Sequence, residues 1–456
     1  MDWLSVIPPI VAVIVVLWRK EVIIALVLAI FSAELLQVAL AWYAPVPATL
    51  NTIERIVGVF GDADNARLLV FSLMIGALLA FVRASGGVAA LVASLVNRGI
   101  ARNGRQAALL TSAVGGIIFV ESNLSVLTAG IFSRGLFDKF GMSRAKLAYI
   151  IDSTSAPVCI LILLNAWGAF ILVLLNNYDL GASSVSVLWG TVYLNFYPIV
   201  TLVIVFATAA TGRYFGPMAH SKSVVASDAV VGDEVAATRK RFMIVPLGVM
   251  IAGMLGFMYW TGGGDLAEGS GSKSVLYATT LATVVAYLQM LMSDHSDHLK
   301  LVKIAFEGMG ELLPLVMIVL LALALGSSLD DLGTGVFIAG LVSGNLPVFL
   351  IPAMLFFAGA LISFSTGTSW GTFAILIPLG MPLAISLDLP PSLLLAAILG
   401  GGVFGDHCSP ISDTTAVSAI ASGCDLLEHV RTQLPYALVG GAISLLMYII
   451  AGIVLL

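Results

Sequence analysis

The chain has 456 residues, of which 59% are hydrophobic and only 10% are charged, and its formal net charge is −5. Soluble domains carry about 25% charged residues, so this composition excludes a soluble enzyme or binding module and indicates an all-α polytopic protein of the lipid bilayer. No basic patch suggests a nucleic-acid partner, and the three cysteines lack the spacing of metal ligands or of a disulfide framework.

Residues 1–66 predict N-terminal scaffold helices. Apolar runs at 5–17 and 22–42 fit two helices, and 44–66 holds prolines, glycines and charges. We therefore expect 44–66 to be a connecting segment.

A first internal repeat is predicted at 67–212. A span at 68–82 and an amphipathic surface helix at 86–100 lead into 107–133, which is apolar on both sides of the polar centre Glu121-Ser122-Asn123. Arginines and lysines flank this region at both ends. A re-entrant hairpin keeps them all on one face of the membrane, which the positive-inside rule favours over a single crossing.

A broken helix is predicted after this hairpin. Residues 147–175 form a long apolar run that is interrupted by Asp152-Ser153-Thr154-Ser155-Ala156-Pro157. Proline removes a backbone donor, so we expect the helix to break there and to expose carbonyl groups. Residues 186–210 return across the membrane and complete the repeat.

Residues 213–311 predict a cytoplasmic linker with connecting helices. The segment 213–241 is polar and basic, and apolar runs at 242–260 and 275–292 each fit one crossing. Counting about ten full spans plus two hairpins places nearly all basic segments on one side, with Arg55 and Arg67 as exceptions.

The second repeat is predicted at 312–456 and follows the same order. Its hairpin at 348–377 has the tip Phe364-Ser365-Thr366-Gly367-Thr368-Ser369-Trp370, which aligns with Phe119-Val120-Glu121-Ser122-Asn123-Leu124-Ser125. Its broken helix is predicted within Phe404-Gly405-Asp406-His407-Cys408-Ser409-Pro410-Ile411-Ser412-Asp413-Thr414-Thr415, where Pro410 aligns with Pro157. The crossing count gives the two hairpins opposite orientations. An inverted repeat with hairpins and broken helices is typical of alternating-access transporters, whose site lies between the repeats.

Both hairpin tips and both predicted breaks supply oxygen ligands. The candidate site residues of the first repeat are Glu121, Ser122, Asn123, Asp152, Ser153, Thr154 and Ser155. Those of the second repeat are Ser365, Thr366, Thr368, Ser369, Asp406, His407, Ser409, Ser412, Asp413 and Thr414.

This oxygen-rich set suits a hard cation such as Na⁺. We expect Asp152, Asp406 and Asp413 to be its carboxylate ligands, and no cofactor beyond a transported or coupling Na⁺. A carboxylate in a low-dielectric environment also binds a proton readily once the cation leaves. Competition of Na⁺ and H⁺ for one aspartate is then sufficient for exchange.

Structural roles also fit several of these residues. Glu121 fits a loop in interfacial water, and Asp152 and Asp413 fit helix N-caps. His407 fits either a proton relay or a structural hydrogen bond. Glu34, in the second apolar run, fits a scaffold pair better than an ion pathway.

The segment from Phe404 to Thr415, with Asp425-Leu426-Leu427-Glu428-His429-Val430-Arg431, resembles the carboxy-terminal signature of NhaC-type sodium/proton antiporters of the ion transporter superfamily. Thr368-Ser369-Trp370-Gly371-Thr372, with Ile377-Pro378-Leu379-Gly380-Met381-Pro382, resembles the second hairpin of that family. The resemblance implies a homodimer in the bacterial cytoplasmic membrane, with a scaffold domain and a transport domain that moves like an elevator. Many members have another residue at the position of His407, so the resemblance does not identify the substrate.

The leading hypothesis is a secondary antiporter that exports Na⁺, or Li⁺, against entering H⁺. The alternative is a Na⁺- or H⁺-coupled carrier of a small organic acid or amino acid, because the family includes malate/lactate antiporters. An intramembrane aspartyl enzyme is disfavoured by the repeated hairpins, and the sequence has neither a zinc-protease motif nor a serine-hydrolase elbow.

Overall fold

The structure, a computed structural model, describes residues 3–38, 44–96, 101–119, 121–221, 238–265, 269–293, 297–345 and 347–456. Over these ranges the chain is all-helical. The end of the predicted surface helix, 97–100, and most of the predicted loop 213–241 lie outside the described residues.

The described residues form twenty α-helices. Helices α1 to α3 are Ile7–Arg19, Val22–Gln37 and Pro45–Gly58. Helices α4 to α11 are Ala63–Ala84, Gly87–Val96, Gly104–Ile117, Ser122–Lys139, Arg144–Leu161, Ala166–Leu175, Ser184–Gly190 and Phe196–Thr211. Helices α12 and α13 are Arg241–Thr261 and Gly271–Leu291. Helices α14 to α20 are His298–Asp331, Thr334–Asn345, Ile351–Thr366, Ser369–Ser386, Pro391–Cys408, Asp413–Ser422 and Leu426–Leu455. Short 3₁₀ helices are Trp3–Val6, Val59–Gly61, Gly216–His220 and Val348–Leu350.

The described residues include nine helices that are long and apolar enough to cross a membrane, or up to ten if the bent pair α8 and α9 counts as one span. The protein is therefore a multi-pass membrane protein, as the composition indicates. Helices α6 and α7 are not among the nine. Helix α6 has 14 residues and is too short for a full crossing, which fits a re-entrant hairpin. Helices α16 and α17, which form the second predicted hairpin, are both among the nine.

The predicted repeat is visible in the order of the helices. Helices α4 to α9 and α14 to α19 both run through a long span, a short helix, a hairpin and a broken helix. The two halves also pack across each other, since α19 lies against α7 and α9 lies against α17. The second half of each broken helix therefore contacts the hairpin of the other repeat.

The position of the first break differs from the prediction. Helix α8 continues through Asp152 and Pro157 and ends at Leu161, and the break comprises residues 162–165 with a bend of 43° between α8 and α9. Pro157 removes one ladder hydrogen bond but does not end this helix. The helix ends one turn later, where the Asn165 side chain forms hydrogen bonds with the backbone groups of the break. The second break, residues 409–412, falls within the predicted segment.

The predicted connecting segment 44–66 is mostly helical, because α3 occupies residues 45–58 of it. Pro45 and Pro47 lie in the first turn of α3, where a missing N–H costs nothing and the fixed φ angle favours the helix. Helix α14 is also longer than the predicted span at 312–329 and runs through the boundary predicted between linker and second repeat.

Candidate ion-binding site

The second broken helix places Asp406 in the last turn of α18, directly before the break. Its carboxylate is buried, with 1% of the residue exposed. Ser412 Oγ donates to Oδ1 at 2.7 Å, and Ser369 Oγ and Thr414 Oγ1 donate to Oδ2 at 2.9 and 3.2 Å. Three hydroxyls from the hairpin, the break and α19 thus converge on one carboxylate.

The tip of the second hairpin lies directly against the second break. Gly367, in the tip, has a φ angle of +69°, and a Cβ atom there would lie 2.4 Å from the Ile411 carbonyl oxygen. Glycine is therefore required at this position for both conformation and space. Ser409 Oγ, in the break, donates to the Phe364 carbonyl of the hairpin at 2.7 Å.

The first break is held by one amide side chain. Asn165 Nδ2 donates to the carbonyl oxygens of Phe119, Cys159 and Ile162 at 2.7–2.8 Å. Asn165 Oδ1 accepts from the amides of Trp167 and Gly168, which begin α9. The side chain therefore bonds to five backbone groups, four around the break and one in the first hairpin, and polar groups of this kind need partners in the interior.

The tip of the first hairpin is built around Glu121, which caps α7. Its carboxylate accepts from the amides of Asn123 and Leu124 at 2.9 and 2.7 Å. Ser155 Oγ of α8 donates to the Ser122 carbonyl at 2.7 Å. Glu121 is half-buried in a helix cap, rather than in the loop suggested as its alternative role.

Asp152 belongs to a second buried cluster, and its position inside α8 rules out the alternative role of an N-cap. Gln433 Nε2 of α20 donates to Asp152 Oδ2 at 2.6 Å and to the His407 carbonyl at 3.1 Å. His429 Nε2 lies 3.4 Å from the same carboxylate oxygen. Gln433 thus connects Asp152 of the first repeat with the end of α18 in the second repeat.

Several polar atoms of this cluster are buried and have no hydrogen-bond partner among the described residues. They are Asp152 Oδ1, Gln433 Oε1, His407 Nε2 and His429 Nδ1. Unpaired polar atoms of this kind are costly in a protein interior. The cavity lined by Ser153, His407 and Gln433 has a volume of about 10 Å³, enough for about one water molecule.

The remaining predicted residues have more local roles. Thr154 and Thr366 donate to carbonyl groups of their own helices, Thr368 caps α17, and Ser365 is half-buried at the end of α16. The His407 ring bonds to the Tyr197 hydroxyl, with Nδ1 3.0 Å from the oxygen, and does not join the hydroxyls around Asp406. Ser412, not Asp413, is the N-cap of α19.

Asp413 lies apart from the buried Asp406 cluster. Its side chain is exposed at the start of α19 and neighbours Asn123 in the tip of the first hairpin. Within the described ranges, no three His, Cys, Asp or Glu side chains form a group that could hold a metal ion. Asp152, Asp406 and Asp413 therefore do not converge on one point in this conformation.

The sequence prediction missed Asn165, Tyr197, His429 and Gln433. His429 and Gln433 are buried one turn apart on α20, on the face that meets α8. An imidazole and an amide within an apolar helix were the sequence signal that could have identified them. Asn165 precedes Ala166-Trp167-Gly168 in an apolar run, which fits an N-cap after a break.

A larger cavity lies where the crossing count places the outer face. It has a volume of about 790 Å³ and is lined by scaffold helices α2 and α3 together with α4, α9 and α14. Arg55 lies in it, with Nε 2.8 Å from Glu34 and Nη1 2.7 Å from Asp331. This pairing explains the basic exception at Arg55, and it shows Glu34 in a buried ion pair.

The sequence model of the Na⁺/H⁺ antiporter family matches residues 158–453, more than half of the chain. An uncharacterised protein of Haemophilus influenzae is 30% identical and aligns with 98% of this chain and 90% of its own length. The Na⁺/H⁺ antiporter NhaC of Alkalihalophilus pseudofirmus is 27% identical over 31% of this chain and 38% of its own. The malate-2H⁺/Na⁺-lactate antiporter of Bacillus subtilis is 32% identical over 23% of this chain and 22% of its own.

A similar fold is found in a solved transporter. The structure of MtrF from Neisseria gonorrhoeae, described as one of a class of antimetabolite efflux pumps, superposes with a TM-score of 0.63 and covers 95% of this chain and 94% of its own. The sequences are 13% identical, so the likeness concerns the fold.

Proposed function

Because this chain belongs to the Na⁺/H⁺ antiporter family, we propose that it exchanges Na⁺ for H⁺ by alternating access and that Asp406 is the residue that binds Na⁺. Asp406 is buried at a helix break and has three hydroxyl groups within hydrogen-bond distance of its carboxylate. This geometry is the observation that carries the proposal.

The hydroxyl groups around Asp406 are suited to serve as further ligands of the cation. Each hydroxyl that now donates to the carboxylate has lone pairs that a Na⁺ ion attracts, and oxygen ligands of this kind suit hard cations. The negative charges of Asp413 and Asp152 both act electrostatically on Asp406. Both charges favour a cation there, and both favour a proton when the cation leaves.

Asp152 is proposed to link occupancy of the site to the rest of the protein. Gln433 connects its carboxylate to the backbone at the end of α18, one residue after Asp406. A change at Asp406 therefore acts on the first repeat through a contact that both repeats share. The elevator-like movement and the homodimer implied by the resemblance belong to this proposal.

A second candidate is exchange of a small organic acid or amino acid, driven by Na⁺ or H⁺. The observation that favours it is the outer cavity of about 790 Å³, which has room for such a solute and contains Arg55. Against it, Arg55 is already paired with Glu34 and Asp331, and the cavity beside Gln433 is smaller than any organic acid.

Transport in sealed liposomes distinguishes the two candidates. Purified protein is reconstituted with an internal pH dye, a proton gradient is imposed, and Na⁺, Li⁺, K⁺ and a panel of organic acids and amino acids are added in turn. We expect Na⁺ alone to collapse the gradient. Collapse only in the presence of an organic solute would replace this proposal with the second candidate.

A further inference from the structure

A basic cavity of about 400 Å³ lies at the end of the molecule where the crossing count places the cytoplasm. It is bounded by the start of α6, the start of α8 and the end of α11. Its polar lining includes Asn103, Arg105, Lys146 and Tyr214. It is separate from Asp406 and from the outer cavity, and nothing in the exchange mechanism uses it.

The charged residues that line this cavity are all positive. Arg105 and Lys146 are its charged lining residues, and no acidic residue is among the described residues that line it. Lys146 is half-buried, and its Nζ lies 4.9 Å from the centre of the Tyr214 ring. A partly desolvated cation that has an aromatic ring but no carboxylate beside it in the described chain favours an anionic ligand.

The backbone adds to this positive field. Helix α6 begins at Gly104, and the Asn103 side chain accepts only from the Gln106 amide, at 3.0 Å. The amides of Gly104 and Arg105 belong to the first turn, which has no partners inside the helix. The N-terminal end of a 14-residue helix therefore contributes both donors and a partial positive charge.

The position of Arg105 depends on a glycine at the end of α11. Gly212 has a φ angle of +67°, and a Cβ atom there would lie 3.0 Å from Arg105 Nε. The glycine thus allows the guanidinium to lie against the backbone of α11. Tyr214 lines the same cavity, and its hydroxyl is buried with no hydrogen-bond partner among the described residues.

We propose that this cavity binds a phosphate group. Guanidinium, ammonium and helix N-terminal amides are together the usual ligands of phosphate, and basic pockets between membrane helices on the cytoplasmic side bind anionic lipid headgroups. The volume accommodates a glycerophosphate headgroup as well as a free phosphate ion. Both sources share this chemistry, and the occupant holds α6, α8 and α11 together.

The test uses the full-length, delipidated protein in detergent. Retention of phosphatidylglycerol and of phosphatidylcholine is measured by native mass spectrometry, and thermal unfolding is measured with inorganic phosphate against chloride at equal ionic strength. We expect preferential retention of phosphatidylglycerol, weakened about ten-fold or more in Arg105→Gln/Lys146→Gln. Stabilisation by inorganic phosphate without preference for phosphatidylglycerol would identify free phosphate as the source.

Two further variants separate binding from folding and from general charge. Lys139→Gln/Lys240→Gln removes two exposed lysines of the same face and should bind as the wild type does. Arg105→Lys/Lys146→Arg preserves both charges and should retain binding. It tests the proposal even where the glutamine variant is unstable. The proposal is overturned if the glutamine variant binds both probes normally, or if neither probe is preferred over its control.

Discussion

The two helix breaks occupy equivalent places in the two repeats but differ in chemistry. In both, a side chain near the break bonds to the hairpin carbonyl at the aligned position, Asn165 to Phe119 and Ser409 to Phe364. The first break is then closed by a neutral amide that satisfies the backbone around it. The second break instead holds the Asp406 carboxylate and its hydroxyl donors. The shared fold therefore supplies two similar breaks, and the second is the one at which we propose a cation site.

The largest effect on transport is expected when the charge at the second break is removed. Asp406→Asn should reduce Na⁺-driven proton movement in liposomes about 100-fold or more, because a neutral amide cannot balance a cation in a buried site. Asp388→Asn is the matched control: Asp388 is exposed and has a φ angle of +52°, which asparagine tolerates. Near-normal exchange by Asp406→Asn would remove this residue from the site.

A large but smaller effect is expected at Asp152. Asp152→Asn keeps an oxygen that accepts from Gln433 but removes the charge beside His429, so we expect exchange to fall at least about 10-fold without loss of folded protein. Transport in liposomes and size-exclusion chromatography measure the two properties. Full activity would show that the two repeats do not communicate through this contact.

A substitution at the first break should mainly alter the stability of the protein. Asn165→Leu leaves several buried backbone groups unpaired, and we expect it to destabilise the protein by about 2–3 kcal/mol in thermal unfolding in detergent. The matched variant in the second break, Ser409→Ala, removes the bond to the Phe364 carbonyl and a longer one, of 3.4 Å, from the Ile411 amide, and should cost about 1 kcal/mol. Equal destabilisation by the two variants would contradict the contrast between the breaks.

The smallest expected effect concerns the individual hydroxyls. Ser369→Ala removes one of three donors around Asp406, and we expect the half-saturating Na⁺ concentration to rise about five-fold, equivalent to about 1 kcal/mol. Ser365→Ala, in the same hairpin tip, is the control, because Ser365 is not among the donors to Asp406. A shift as large in Ser365→Ala would show that the tip acts through its conformation.

Much of this architecture can be predicted from the sequence. Helical runs, hairpin tips and the second break follow from apolar periodicity and from the polar residues around Pro410. The first break could not be located, because Pro157 is tolerated within α8 and the true break depends on the contact of Asn165 with Phe119, 46 residues away. Gln433 escaped notice because its partner Asp152 is 281 residues distant, and a single amide in an apolar helix does not indicate its partner.

Direct measurement of Na⁺ binding tests the central claim that the second break holds the cation. Equilibrium binding of radioactive Na⁺ would be compared among the purified wild-type, Asp406→Asn, Asp152→Asn and Asp388→Asn proteins. We predict saturable binding by the wild type and by Asp388→Asn, weaker but measurable binding by Asp152→Asn, and none by Asp406→Asn. Unchanged binding by Asp406→Asn together with loss in Asp152→Asn would contradict the account and place the cation in the first repeat.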